Sequence, residues 1–221
     1  MSMTTSDATS RAILILNDAG MVRWTADELM KWFNDARREI ATLRPDLYAI
    51  KTDITLVAGA AQSVPDDGMR LIDVTRNADG SACTVIEKES LDQFRPRWQK
   101  ETGSKSIRHF MMDERYPTDF WVYPPAAIGA ALEIIYQPTP TDVGSGAALS
   151  TSESMYLSAI VDYMCFRAFS KDVEFVGAVD RAAAHYGKFK DTLSDGGRIA
   201  LVTSPNAANR GGQPSRIATG E

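Results

Sequence analysis

The spacing of apolar residues changes twice along this chain, and each change narrows the folds open to it. Leu29, Trp32, Phe33, Ala36, Ile40 and Leu43 recur at steps of three and four. That step gathers them on one face of an α-helix. Thr25 and Glu28 stand just ahead of the run in the pattern of a capping box, where each side chain takes the other residue's free backbone N–H. Pro45 closes it. From Ile50 the period becomes two: Ile50, Thr52, Ile54 and Leu56 alternate with Lys51, Asp53 and Thr55, as a half-buried strand requires.

Five further strand-like runs follow: residues 71–76, residues 83–88, "RHFMMDE", "DFWVYPP" and "ALEIIYQP". The turn "NADG" joins the first two as a hairpin. Prolines after "FWVY" and "IIYQ" mark where those strands leave the sheet. "SLDQFRPRW" reads as a short helix or turn capped by Ser90. No connection between strands holds a helix long enough for a parallel crossover, so the sheet is expected to be antiparallel.

The period then returns to that of a helix. "ESMYLSAIVDYMCFRAFS" is apolar around most of its circumference and reads as buried on several sides. Residues 172–194 carry a stripe of Val176, Val179, Ala183, Tyr186, Phe189 and Leu193, stopped by Gly196 and Gly197. Before Trp24, "SDATSRAILILNDAG" reads as a first helix, capped by Ser6 or Asp7 and stopped at Gly20. Trp32, Phe33, Ile40, Tyr163, Phe166 and Val179 are the predicted core. The expectation is an α+β fold: a helical bundle formed by both chain ends, an inserted antiparallel β domain and an extended C-terminal tail. The boundaries read 1–48 and 141–196 for the bundle, 49–140 for the insert and 197–221 for the tail.

A chain of 221 residues suffices for one sizeable domain or two small ones. Its net charge of −5 argues against broad nucleic-acid binding, which needs clustered Lys and Arg. "AILIL" is too short for a signal core or a membrane span, so no membrane role is expected. Cys83 and Cys165 read as buried thiols in a reducing compartment.

Catalytic constellations are sparse. His109 and His185 lack a second ligand type at metal spacing. "GSG" near Ser145 has neither the strand-to-helix context of a nucleophile elbow nor the glycines of a dinucleotide loop. "PDDG" reads as a turn. Asp113, Glu114 and Asp119 offer a carboxylate pair only if neighbouring strands bring them together. Arg95, Arg97 and Lys100 around Trp98 are the one basic and aromatic cluster of the kind that suits single-stranded nucleic acid. No enzyme, cofactor or metal is expected.

The order of several motifs resembles the head-to-tail adaptor, or connector, proteins of tailed bacteriophages, the short-tailed type above all. The motifs are the helix from "WTADELMKWFNDARREI" to "RPD", then "VAGAAQSVPDDGMRLIDVTRN", "FWVYPP", "LEIIYQPTP" and "YLSAIVDYMCFRAFSKDVEF". The resemblance implies a non-catalytic virion protein at the head–tail junction, assembled in the host cytoplasm. It implies a homo-oligomeric, dodecameric ring under the portal protein, docking a tail tube or nozzle protein, with DNA passing through the channel unbound. The alternatives are a tail-tube or stopper protein of the same connector, a virion-associated hydrolase, or a nucleic-acid module. Because such adaptors use extended termini to grip partners, residues 198–221 are expected to lie along the portal or a neighbouring subunit. Arg198, Ile199, Leu201, Val202, Arg210 and Arg216 would make the contacts.

Overall fold

The computed structural model of the chain describes residues 3–203 apart from 173 and 175. They are mixed α and β and fall into two compact units. One takes the residues up to Arg44 and those from Asp142 onward, and the other is Pro45–Thr141.

The first unit is helical. Helix α1 (Thr5–Leu16) starts at Thr4, whose backbone N–H donates to the Asp7 carboxylate at 2.7 Å. Asp7 is thus the cap's partner one turn in, and neither it nor Ser6 is the cap. The helix stops at Asn17, which takes a left-handed φ of 54°, ahead of the expected stop at Gly20. Helix α2 (Ala26–Leu43) carries the capping box read from the sequence: Glu28 N–H donates to the Thr25 hydroxyl and Thr25 N–H to the Glu28 carboxylate, both at 3.3 Å. Leu29, Trp32, Phe33, Ala36 and Ile40 are buried, and only Leu43 of the predicted stripe is exposed.

The apolar stretch after Ser150 is two helices rather than one, α4 (Thr151–Met155) and α5 (Leu157–Lys171), which meet at Tyr156. Helix α5 buries side chains around most of its circumference, among them Leu157, Ile160, Val161, Met164, Ala168 and Phe169. Helices α1, α2 and α6 (Ala178–Thr203) all lie against it.

The start of α6 departs from the expected one. Gly177 holds a φ of 86°, and the helix begins only after it. Val176 and Val179 are 94% and 63% exposed, while Ala178, Ala182, Phe189 and Leu193 face inward. The predicted stripe holds from Tyr186 on, where that ring is half-buried against Phe166 and Phe189, and is slipped by one residue before it. Of the predicted core, Trp32, Phe33, Ile40 and Tyr163 are buried, Phe166 is half-buried, and Val179 is not in it.

The far end of α6 departs more. Gly196 and Gly197 do not stop the helix, which runs through both to Thr203. They sit where the helix passes two side chains closely. A methyl at position 196 would stand 2.1 Å from the Tyr156 hydroxyl and 2.9 Å from its ring, and one at 197 would stand 3.2 Å from the Arg44 guanidinium. Arg44 lies over the Tyr156 ring and donates from Nη1 to the Leu193 carbonyl at 2.9 Å. Gly196→Ala therefore sets two effects against each other. Alanine gains about 1 kcal/mol of helix propensity, and overpacking against Tyr156 costs about 1–3 kcal/mol. Net destabilisation in urea unfolding is expected in the native chain, and stabilisation when the same substitution is made in a Tyr156→Ala background. Stabilisation by Gly196→Ala alone would show that the helix end does not sit on Tyr156.

The second unit holds seven strands: β1 (Ile50–Thr55), β2 (Gly59–Ser63), β3 (Gly68–Asn77), β4 (Thr84–Val85), β5 (His109–Met112), β6 (Asp119–Ala126) and β7 (Ala131–Pro138). They form two sheets, ordered β1-β7-β3 and β2-β6-β5-β4. One core takes Leu71, Val74, Leu132 and Ile134 from the first sheet and Phe110, Phe120 and Val122 from the second. Every pairing is antiparallel except β4 with β5, which is parallel and two residues long.

Three strand expectations need correction. The "NADG" turn forms, with Asn77 N–H to Ser81 O at 2.9 Å, but after a single bridge between Arg76 and Ala82 the chain leaves β3 and joins the other sheet. Buried Asn77 holds that departure, pairing its side-chain amide with both backbone groups of Ile107 at 2.7 Å. Strand β2 was missed because Gly59, Ala60 and Ala61 carry no strand-forming side chains. Pro124 and Pro125 lie within β6, after a cis Tyr123–Pro124 peptide, so they do not end it; Pro138 does end β7. Helix α3 (Lys88–Phe94) starts after Glu87, which leaves Ser90 inside it instead of at the cap.

Candidate interaction surfaces

The cysteines, the histidines and the "PDDG" turn are each accounted for by their neighbours. Burial pushes the thiols of Cys83 and Cys165 up, to about 11 and about 12, which keeps them protonated and unreactive. His109 meets the Thr84 hydroxyl at 2.7 Å and stacks on Tyr123. His185 meets Asp162 at 2.7 Å and stacks on Phe169, tying α6 to α5. In "PDDG", Gly68 N–H closes a turn onto the Pro65 carbonyl at 2.7 Å and Asp67 accepts from the Tyr136 hydroxyl at 3.0 Å. Among the described residues no group of three His, Cys, Asp or Glu side chains could hold a metal ion.

The basic cluster is not a stacking platform. Trp98 is fully buried and donates its indole N–H to Asp92 at 2.7 Å. Arg95 donates to the Tyr123 hydroxyl at 2.8 Å and pairs with Glu101. Arg97 and Lys100 are exposed without an ion-pair partner among the described residues. Beside them Phe94, ending α3, is 84% exposed. The result is a short rigid loop, pinned underneath by Trp98, that presents one aromatic ring and two cations.

Asp113, Glu114 and Asp119 do come together, though not as a catalytic pair. They line an open groove of about 1060 Å³ with Glu87, Glu89 and Asp92. Asp113 accepts from Arg115 Nε at 2.9 Å and Nη2 at 2.8 Å. That guanidinium, helped by the Arg115 backbone N–H, holds the Asp113 carboxyl down to about 2. Lys88 pairs with Asp92 at 2.8 Å. Six carboxylates against these two paired cations leave a net charge of −4 around the groove. Glu87, Glu89, Glu114 and Asp119 are exposed with no ion-pair partner among the described residues. Met112, Tyr116 and Trp121 supply apolar wall between them. The sequence signalled only half of this site, because Glu87, Glu89 and Asp92 reach it through the β4–β5 pairing.

Of the tail residues, Arg198, Ile199, Leu201 and Val202 belong to helix α6, and Ile199 is 62% exposed. Arg210 and Arg216 lie outside the described residues. No helix among the described residues is long and apolar enough to cross a membrane.

A protein-family model described as "SU10 adaptor protein" matches residues 3–211, nearly the whole chain and both units. No curated protein matches it.

Proposed function

Because the chain belongs to the SU10 adaptor protein family, and is thus a structural adaptor of the bacteriophage head–tail connector, we propose that its copies close a ring below the portal protein. The ring extends the DNA channel and docks the next tail component, a tube or nozzle protein. The match over residues 3–211 carries this reading, since it spans both units instead of one shared module. The helical unit acts as a bundle built from both chain ends, with the sheet unit inserted as a wall element. A net charge of −5 agrees with a conduit, since a channel lined to grip phosphates would hold DNA back.

Residues 204–221 serve as the segment that reaches a partner, and exposed Ile199 at the end of α6 adds an apolar contact. Eighteen residues span up to about 60 Å when extended, at roughly 3.3 Å each. Fixing any backbone in one conformation costs on the order of 1–2 kcal/mol per residue, so a contact made through a segment of this length must be extensive. The test is deletion of residues 204–221, which spares α6 to its end at Thr203. The truncated chain is expected to keep its circular dichroism spectrum and unfolding midpoint while losing co-purification with the portal protein. Undiminished co-purification would remove the tail from the interface.

A further inference from the structure

We propose that the acidic groove of the sheet unit is a socket for the Phe94–Lys100 loop of a neighbouring copy of this chain. This rests on the ring reading above and names the contact that would build the ring.

The two surfaces are complementary in kind. The groove has a net charge of −4, with unpaired Glu87, Glu89, Glu114 and Asp119 beside Met112, Tyr116 and Trp121. The loop presents unpaired Arg97 and Lys100 beside an aromatic ring that is 84% exposed. A ring flanked by cations, entering a wall of methionine and aromatics flanked by carboxylates, places unlike charges at the rim and apolar groups inside. That is the arrangement of a specific interface: charge sets register and association rate, and a buried aromatic anchors it.

The surfaces are also unable to satisfy each other within one copy. Both lie in the same unit, at the two ends of α3, and the exposure of Phe94 shows that it does not sit in its own groove. Contact between copies is therefore loop to groove, and in a rotation other than two-fold it is heterologous, so that each copy keeps one free surface of each kind. Such contacts close into rings when the rotation per copy allows.

The loop is built for the role before it meets a partner. Buried Trp98, its N–H to Asp92 at 2.7 Å and the Arg95 bond to Tyr123 at 2.8 Å fix the backbone that carries Phe94 and Arg97. Docking then costs little further ordering of the chain. Asp92 links the two surfaces, because its other oxygen holds Lys88 at the groove.

The experiment places the photoreactive analogue benzoylphenylalanine at Phe94 of the full chain and irradiates a mixture of isotope-labelled and unlabelled protein. It is run with the protein alone and with its portal protein. Cross-links between copies are expected in a ladder of sizes, landing on peptides that contain Met112, Tyr116 or Trp121. Arg97→Glu with Lys100→Glu should cut the yield at least about tenfold, and so should Glu89→Lys with Glu114→Lys. Carrying both reversals in one chain should restore it. Each variant is first checked for an unchanged unfolding midpoint. Monomers only under both conditions, cross-links landing elsewhere, or yields indifferent to the reversals would overturn the proposal. A ladder with cross-links landing elsewhere would do so while leaving the ring itself intact.

Discussion

Replacing Arg37 by Met is expected to remove about 3–5 kcal/mol of stability, because it strands a buried carboxylate. Arg37 on α2 and Glu153 on α4 are both buried, and Nε donates to the carboxylate at 2.5 Å. Glu153 also accepts from the Ser150 N–H at 2.8 Å, closing the capping box that starts α4. Burial alone would push the Glu153 carboxyl up. The Ser150 N–H and the Arg37 guanidinium outweigh it and hold the carboxyl below its ordinary value near 4.5.

The sign of the pH effect follows from that direction. A carboxyl depressed in the folded state contributes stability fully present above the ordinary value near 4.5 and lost as the pH falls through the folded value. In Arg37→Met the partner is gone, burial dominates, and protonation becomes favourable. The deficit should therefore be largest at neutral pH and shrink in acid. Adding Glu153→Gln, which keeps the capping geometry without the charge, should recover most of the loss at neutral pH. Urea unfolding across pH checks this. A deficit independent of pH, with no recovery in the double variant, would mean that Arg37 matters only as packing volume.

Phe33→Ala should cost about 3–5 kcal/mol as well, through the cavity that a large buried ring leaves. Phe33 is 0% exposed, in the centre of the buried face of α2. Phe94, 84% exposed on the sheet unit, is the internal control. Its replacement by Ala should change stability by less than about 0.5 kcal/mol, whatever it does to assembly. Chemical denaturation followed by circular dichroism reads both. A loss below ~1 kcal/mol for Phe33→Ala would show that the α2 face is not part of a core.

What was legible in the sequence was what depends on near neighbours. The Thr25–Glu28 box lies within one turn, and the α2 stripe repeats over four turns, so both were readable without tertiary information. The same holds for the all-round apolar character of α5. Gly196 and Gly197 misled because the local rule, that glycine ends helices, competes with a distant cause. They are small to make room for Tyr156 and Arg44, and only the folded helices show that. The hairpin at "NADG" failed similarly. Its turn chemistry is right, but the Asn77 side chain holds Ile107, thirty residues on, and draws the chain into another sheet. Trp98 looked like a surface aromatic among cations, and its burial under Asp92 was invisible without the fold. The acidic groove was half legible for the same reason, its two acidic segments being separated by twenty residues of sequence.

Whether copies of this chain form a ring under the portal is decided by imaging the full chain assembled with its portal protein in the electron microscope. A closed ring of this protein is expected, coaxial with the portal and open along its axis, with the sheet units of adjacent copies in contact. Single copies bound without ring closure, or density for this chain away from the portal axis, would contradict it.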